Sequence, residues 1–180
     1  MKLLPSIASA NVLQIGEEIE RLGDWPNLHF DIEDGNFTPN ITFGQKMLKS
    51  VSKAIAPRQL DVHMMAMHPM ELMPVLKEAN VKSACVHLEA LRFPLLFLNG
   101  ARQAGMEAGL ALNFATPLEA LQPFLPQMDY LLVMTSEPDN AGEHLNTQAF
   151  QKALKAAENL SVPVYADGAL GEKEVLALHK

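Results

Sequence analysis

The segment LHFDIE at residues 28–33 decides the fold, because apolar and polar side chains alternate along it. Side chains two positions apart in a β-strand point to the same face of the sheet. One face of this segment therefore carries three apolar side chains, and the other carries His29, Asp31 and Glu33. We interpret it as a strand in the wall of a barrel, with its apolar face toward outer helices and its polar face toward the interior.

Three later segments repeat this alternation and place polar side chains on one face, in one case beside a methionine. They are Asp61 with His63 and Met65, His87 with Glu89, and Tyr165 with Asp167. Burying an unpaired carboxylate or imidazole is costly unless a partner or a metal ion compensates for the lost hydration. These side chains come late in their strands, where barrel active sites are built. The pattern therefore predicts one polar site at the carboxyl ends of the strands.

Short β-rich runs alternate with helix-period segments along the whole chain, which is typical of a parallel α/β sheet. The predicted strands span residues 3–9, 28–33, 59–66, 83–90, 107–115, 130–137 and 162–168. The predicted helices span residues 12–22, 45–56, 70–79, 94–104, 117–124, 147–160 and 172–180. We expect residues 1–180 to form a single TIM (β/α)8 barrel domain that is C-terminally truncated and lacks the eighth βα unit.

Composition excludes several classes of protein. The chain has 180 residues, 48% hydrophobic content and a net charge of -7, so it can bury one core but has no basic surface for nucleic acid. Its one cysteine, Cys85, cannot form a disulfide framework or a thiolate metal cluster. The first residues lack the apolar run of a signal peptide, and no apolar run is long enough to cross a bilayer. We therefore expect a cytoplasmic protein without a membrane partner.

Two histidines and two aspartates form a ligand set suited to Zn²⁺, Fe²⁺, Mn²⁺ or Co²⁺. A single strand histidine is more often a hydrogen-bonded core residue, so the metal hypothesis depends on the set as a whole. We interpret His87 and Glu89 as a supporting or structural pair outside that set.

Motifs along nearly the whole chain resemble the ribulose-phosphate 3-epimerase family, and their order and spacing carry the resemblance. They are PSI at residues 5–7, HFDIEDG at 29–35, FTPNITFG at 37–44, LDVHMM at 60–65, VHLEA at 86–90, LN at 112–113, ATPLE at 115–119, VMT at 133–135 and DG at 167–168. The fold implied by this resemblance is a TIM barrel of the ribulose-phosphate-binding type.

The resemblance also implies an activity. It indicates an isomerase that epimerises a ketose phosphate at C3, with ribulose 5-phosphate and xylulose 5-phosphate or a related ketohexose phosphate as substrates. It implies that His29, Asp31, His63 and Asp167 bind one divalent metal ion. Asp31 and Asp167 are then also the acid and the base, which transfer protons through an enediolate intermediate.

Further residues take implied roles in substrate binding. Ser6, Met65, Met134, Gly142 and Gly168 match positions that line or hold the substrate. The partner implied is a small sugar phosphate, and the family resemblance favours a homo-oligomer.

The chain departs from the family pattern at three places, which indicates a divergent branch. Glu33 stands where the family usually has methionine, and it is a candidate specificity residue. Only Gly142 remains of a glycine-rich phosphate loop, within the run SEPDNAGE at residues 136–143. The Asp-Gly-Gly motif has become Asp167-Gly168-Ala169. Two alternatives to the epimerase therefore stay open: a non-catalytic sugar-phosphate-binding barrel, and another enediolate isomerase or lyase of the same fold.

Overall fold

The computed structural model describes residues 3–137 and 144–178, and its six parallel strands form one sheet. The strands are β1 (Asn27–Glu33), β2 (Gln59–Met65), β3 (Ser83–His87), β4 (Glu107–Leu112), β5 (Tyr130–Met134) and β6 (Val164–Asp167). They lie in chain order from β1 to β6, and each strand pairs with the next. The sheet forms a curled half-barrel of the TIM-barrel class, so the predicted fold class is confirmed.

Helices precede β1, follow β6 and lie between most successive strands. They are α1 (Ile15–Arg21), α2 (Gln45–Ile55), α3 (Met73–Glu78), α4 (Pro94–Gln103), α5 (Thr147–Asn159) and α6 (Glu172–Leu178). Short 3₁₀ helices at Val12–Gln14 and Pro69–Leu72 lead into α1 and α3. Among the described residues, no helix combines the length and the apolar character needed to cross a membrane.

The main hydrophobic core lies between the outer face of the sheet and the helices. Leu28 and Phe30 point outward from β1 and are fully buried. In α2, Leu48, Val51 and Ile55 recur at spacings of three and four residues, which places them on one helix face. These side chains of β1 and α2 belong to one continuous apolar cluster. Their burial keeps the apolar face of β1 toward the helices and its polar face toward the interior.

The inner face of the sheet holds a smaller apolar cluster and the polar site above it. Cys85, Ala111, Tyr130, Leu132 and Met134 form this cluster. The strand register places Asp31 opposite His63, and Met134 opposite Asp167. Because parallel strands end at the same edge of a sheet, this register carries the polar side chains to one level.

The predicted strand at residues 3–9 is wrong, because only Ser6 pairs with β1, through a single bridge to His29. Pro5 has no amide hydrogen to donate, although its carbonyl accepts a hydrogen bond from the His29 amide at 2.8 Å. The chain then turns, with the Ala8 amide donating to the Ser6 hydroxyl. Residues 3–9 therefore lie beside β1 without forming a ladder.

The predicted strands at residues 107–115 and 130–137 end earlier, at Leu112 and Met134, and two other predicted elements change in kind. The predicted helix at residues 117–124 is replaced by 3₁₀ helices at Leu118–Leu121 and Leu125–Gln127, because Pro123 and Pro126 remove helical hydrogen-bond donors. The predicted strand at residues 83–90 ends at His87, and a 3₁₀ helix at Leu88–Ala90 follows. Glu89 therefore lies beyond the strand.

Candidate metal and acid-base site

Four predicted ligands lie together at the carboxyl ends of the strands. His29 and Asp31 come from β1, His63 from β2 and Asp167 from the end of β6. One candidate ligand atom of each lies within 4.8 Å of those of the other three. The curl of the sheet therefore brings its first and last strands to a common centre.

The facing atoms are a mixed set of nitrogens and carboxylate oxygens. His63 Nδ1 lies 3.3 Å from Asp31 Oδ1 and 3.3 Å from Asp167 Oδ2. His29 Nε2 lies 3.1 Å from Asp31 Oδ1 and 3.8 Å from Asp167 Oδ2. These distances are short enough for one small cation to contact all four side chains.

The hydrogen bonding of these side chains fits a cation-binding centre. Within the described residues, His29 Nε2, Asp31 Oδ1 and His63 Nδ1 are buried polar atoms without a hydrogen-bond partner. Buried polar atoms are normally satisfied, so three unsatisfied atoms aimed at each other need an explanation. Imidazole nitrogens and carboxylate oxygens together suit Zn²⁺, Fe²⁺, Mn²⁺ or Co²⁺. The donor set thus fits a divalent metal ion.

Asp61 orients His29, a role that the sequence did not reveal. Asp61 Oδ1 lies 2.6 Å from His29 Nδ1, and its other oxygen accepts from the hydroxyls of Ser83 and Tyr130. An ionised carboxylate can only accept a hydrogen bond, so the imidazole proton lies on Nδ1 and the Nε2 lone pair faces the site. Alternation placed Asp61 on the interior face, but only the register places it opposite His29.

Charge balance in the site favours a bound positive charge. Burial would raise the pKa of Asp31, but the imidazoles of His29 and His63 lower it below its ordinary range. Burial would lower the pKa of His29, but the carboxylates of Asp31 and Asp61 raise it well above its ordinary value. The pKa of His63 is likewise lowered by burial but raised overall by Asp167 and Asp31. The carboxylates therefore attract either protons or a metal ion.

A cavity of about 850 Å³ is lined by three of the four candidate ligands: His29, Asp31 and Asp167. Of the predicted substrate residues, four line this cavity: Ser6, Met65, Met134 and Gly168. The Ser6 hydroxyl also donates to Asp31 Oδ2 at 2.7 Å. The fifth, Gly142, lies outside the described residues.

Glu33 also lines the cavity, as the alternation of β1 predicts. Its side chain is buried, and its Oε2 accepts a hydrogen bond from the Thr38 hydroxyl at 2.8 Å. Thr38 belongs to the loop after β1, so the same loop that closes over this strand holds the carboxylate. Thr38 could not be assigned this contact from sequence, because the loop path is not encoded by a periodic pattern.

His87 and Glu89 lie behind His63, on the side away from the other ligands. His63 Nε2 is 2.9 Å from His87 Nε2, and His87 Nδ1 is 3.3 Å from Glu89 Oε2. Both imidazoles are buried. His87 therefore contacts Glu89 as expected, although Glu89 lies on a 3₁₀ turn, and the supporting role of the pair stays a prediction.

Comparisons with known proteins identify the family of the chain. The Ribulose-phosphate 3 epimerase family matches residues 2–180. The chain is similar to the ribulose-phosphate 3-epimerase of Mycobacterium tuberculosis strain H37Rv, with 32% identity over 96% of this chain and 77% of that protein. It is 31% identical to the Schizosaccharomyces pombe protein of that name, over 97% and 78% of the two chains. For the Helicobacter pylori strain J99 protein of that name, the identity is 28% over 100% and 85%.

Proposed function

Because the chain belongs to the ribulose-phosphate 3-epimerase family, we propose that it epimerises a ketose phosphate at C3. The proposed substrates are ribulose 5-phosphate and xylulose 5-phosphate, or a related ketohexose phosphate. The observation that carries the proposal is that two carboxylates and two imidazoles from β1, β2 and β6 lie together beside one cavity.

The proposed cofactor is one divalent metal ion, Zn²⁺, Fe²⁺, Mn²⁺ or Co²⁺, held by His29, Asp31, His63 and Asp167. The three unsatisfied buried atoms of this set support the assignment. A bound cation would supply a Lewis acid that stabilises negative charge developing on a substrate oxygen.

Asp31 and Asp167 are the proposed acid and base. Epimerisation needs one group to remove the C3 proton and another to return a proton to the opposite face through an enediolate. The two carboxylates come from β1 and β6, at opposite ends of the sheet order, which suits work on two faces of one carbon. Ser6 donates its hydroxyl hydrogen to Asp31 Oδ2 and so holds that carboxylate in orientation.

The remaining cavity residues are proposed to position the substrate. Ser6, Met65, Met134 and Gly168 would line its carbon chain, and Gly142 would contribute to the phosphate end. Glu33 would then influence which ketose is accepted, because an added carboxylate in the cavity favours hydroxyl donors and opposes further negative charge.

Exchange in deuterated water tests this function. Metal-loaded protein is incubated with ribulose 5-phosphate, xylulose 5-phosphate and ketohexose phosphates, and deuterium at C3 is followed by NMR. We expect exchange and interconversion of the C3 epimers, and loss of both in Asp31→Asn and Asp167→Asn. Tight binding without exchange would instead indicate a non-catalytic barrel, and cleavage or aldose formation would indicate a lyase or another isomerase.

We also propose a homo-oligomer, formed through an apolar surface on the loops after β2 and β3. Four exposed large side chains line one groove there: Met67, Met70, Phe93 and Leu96. Glu71 and Arg92 line the same groove, and neither forms an ion pair within the described part of the chain. Opposite charges on one patch suit a twofold contact, in which each copy places Glu71 against Arg92 of the other.

Sedimentation measurements test this contact. We expect Phe93→Glu to give monomers, while Leu13→Glu, at an exposed position outside this surface, leaves the oligomer intact. Glu71→Arg and Arg92→Glu should each weaken association, and the double charge swap should restore it. A monomeric wild-type protein, or an unaffected Phe93→Glu variant, contradicts the proposal.

The proposed compartment is the cytoplasm. Cys85 is the only cysteine of the chain and is buried as a free thiol, which fits a reducing environment. Activity in fractionated cells checks this, with the soluble cytoplasmic fraction expected to contain it.

A further inference from the structure

The side of His63 that faces away from the candidate ligand set leads into a line of buried polar groups. His63 Nε2 lies 2.9 Å from His87 Nε2, and His87 Nδ1 lies 3.3 Å from Glu89 Oε2. The side chains of both histidines are almost completely inaccessible to solvent, at 0% and 1% exposure. Because both side chains are buried, their two Nε2 atoms form their hydrogen bond with each other.

Hydrogen-bond logic gives this line one arrangement of protons for neutral imidazoles. His63 Nδ1 faces the other ligands, so metal binding requires its lone pair and leaves the proton on Nε2. His63 Nε2–H then donates to His87 Nε2, which has to accept. The proton of His87 is therefore on Nδ1, where it donates to the Glu89 carboxylate.

Glu89 is anchored at the far end of this line. Its Oε1 accepts hydrogen bonds from the Asn113 amide at 2.9 Å and from the Thr116 hydroxyl. Lys152 of α5 donates to the carbonyl oxygens of Asn113 at 2.6 Å and Thr116 at 2.9 Å. The carboxylate therefore cannot rotate away without losing its hydrogen bonds to the loop after β4, which Lys152 itself holds in place.

We propose that His87 and Glu89 are positioning residues that fix the tautomer and ring orientation of His63 toward the metal. This inference rests on the proposed metal site. The two imidazole ligands are then oriented in different ways. Asp61 contacts His29 directly, whereas Glu89 acts on His63 through the imidazole of His87. Supporting groups of this kind affect metal affinity as well as local structure.

The tautomers are directly measurable by NMR. Zinc-loaded protein labelled with ¹⁵N-histidine is examined by long-range ¹H–¹⁵N correlation, with assignments from single histidine variants. We expect His63 protonated at Nε2 and His87 protonated at Nδ1. A proton on Nε2 of His87 would overturn the inference, because that nitrogen could not accept from His63.

Zinc affinity supplies the second test, by competition with a chromophoric chelator. We expect Glu89→Gln to weaken zinc binding about 10-fold, the lower end of the effect of such supporting groups. Glu119→Gln is the matched control, since it removes one exposed negative charge near the same loop and should leave affinity unchanged. His87→Leu removes the acceptor for His63, and His87→Gln, whose amide oxygen can accept, should recover part of the loss.

The outcomes separate this inference from the proposed function. Tight zinc binding by the wild type with an unchanged constant in Glu89→Gln, even with reduced thermal stability, would show a purely structural pair and overturn the inference alone. Wild-type protein that binds no zinc would overturn the metal site and the inference together.

Discussion

The candidate site has two walls, one formed by β1 and β2 and the other by β6, and they differ in the burial and hydrogen bonding of their ligand side chains. β1 and β2 supply His29, Asp31 and His63, all buried. Each of these has a second atom bonded to another side chain: Asp61, Ser6 and His87 respectively. β6 supplies Asp167, whose side chain is 30% exposed, on a strand that is only half-buried along its length.

This difference assigns separate tasks to the two walls. The first wall is preorganised by side-chain contacts, so its ligands do not have to be ordered when a metal ion binds. The second is held mainly through the backbone, where the Thr135 amide donates to the Asp167 carbonyl at 2.6 Å and the Thr135 hydroxyl to the Gly168 carbonyl at 2.6 Å. Carboxylates in unlike surroundings can take unlike acid and base roles.

The largest expected effect comes from exchanging each carboxylate for its amide. Asp31→Asn and Asp167→Asn should each lower the rate of C3 exchange by about 10²–10⁴-fold, the usual contribution of an acid or base. Metal affinity should fall further in Asp31→Asn, because the Asp31 side chain is 8% exposed whereas that of Asp167 is 30% exposed. Zinc affinity measured by competition with a chelator checks this. Equal losses of affinity in the two variants would contradict the proposed difference between the two walls.

Asp61→Asn tests the side-chain support of the first wall. An amide at this position can donate to His29 Nδ1, which favours the tautomer whose Nε2 proton faces the metal. We expect zinc affinity to fall about 10- to 100-fold. Asp24→Asn, at an exposed position, is the charge-matched control, and an equal response of both variants would refute the orienting role of Asp61.

The sequence predicts which side chains face the site from both walls better than it predicts the contacts that support them. Period-two alternation places His29, Asp31, His63 and Asp167 on interior faces, because side-chain direction in a strand is a local property. Their supporting contacts depend on register, which pairs His29 with Asp61 only when β1 and β2 align. Register is set by the packing of whole strands and turns, so Asp61 could be placed inside but not assigned to a partner.

Local sequence patterns also overestimate regular secondary structure where a proline limits the hydrogen bonding of the backbone. Residues 3–9 have strand-like composition, yet Pro5 and the turn after Ser6 reduce the pairing to one bridge. Even so, that bridge is enough to bring Ser6 to Asp31. The site residue was therefore predictable from a motif, while the element carrying it was not.

Gly168→Ala tests the backbone support of the second wall. Gly168 has φ of +108°, which L side chains rarely adopt, and an added Cβ would collide with Ser136. We expect a loss of about 1–3 kcal/mol in the free energy of unfolding, measured in urea. Gly16→Ala is the control, since that helical glycine has open space around it and alanine should be neutral or stabilising there. Equal stability of both variants would contradict a strained second wall.

Asp34→Asn gives the smallest expected effect and tests the outer rim of the first wall. Asp34 accepts backbone hydrogen bonds from Asn36, Phe37 and Met67, each at 2.8 Å, and so joins the loops after β1 and β2. Burial would raise the pKa of Asp34, but these donors lower it overall. A carboxylate whose pKa is lowered in the folded state stabilises the fold above its unfolded pKa of about 3.9, and this contribution is lost as the pH falls below that value.

We therefore expect Asp34→Asn to lower the free energy of unfolding by about 1 kcal/mol near neutral pH. The difference from wild type, measured by urea unfolding across the acid range, should shrink as the pH falls through the lowered pKa. A difference that stays constant would mean that the charge of Asp34 does not hold the two loops together.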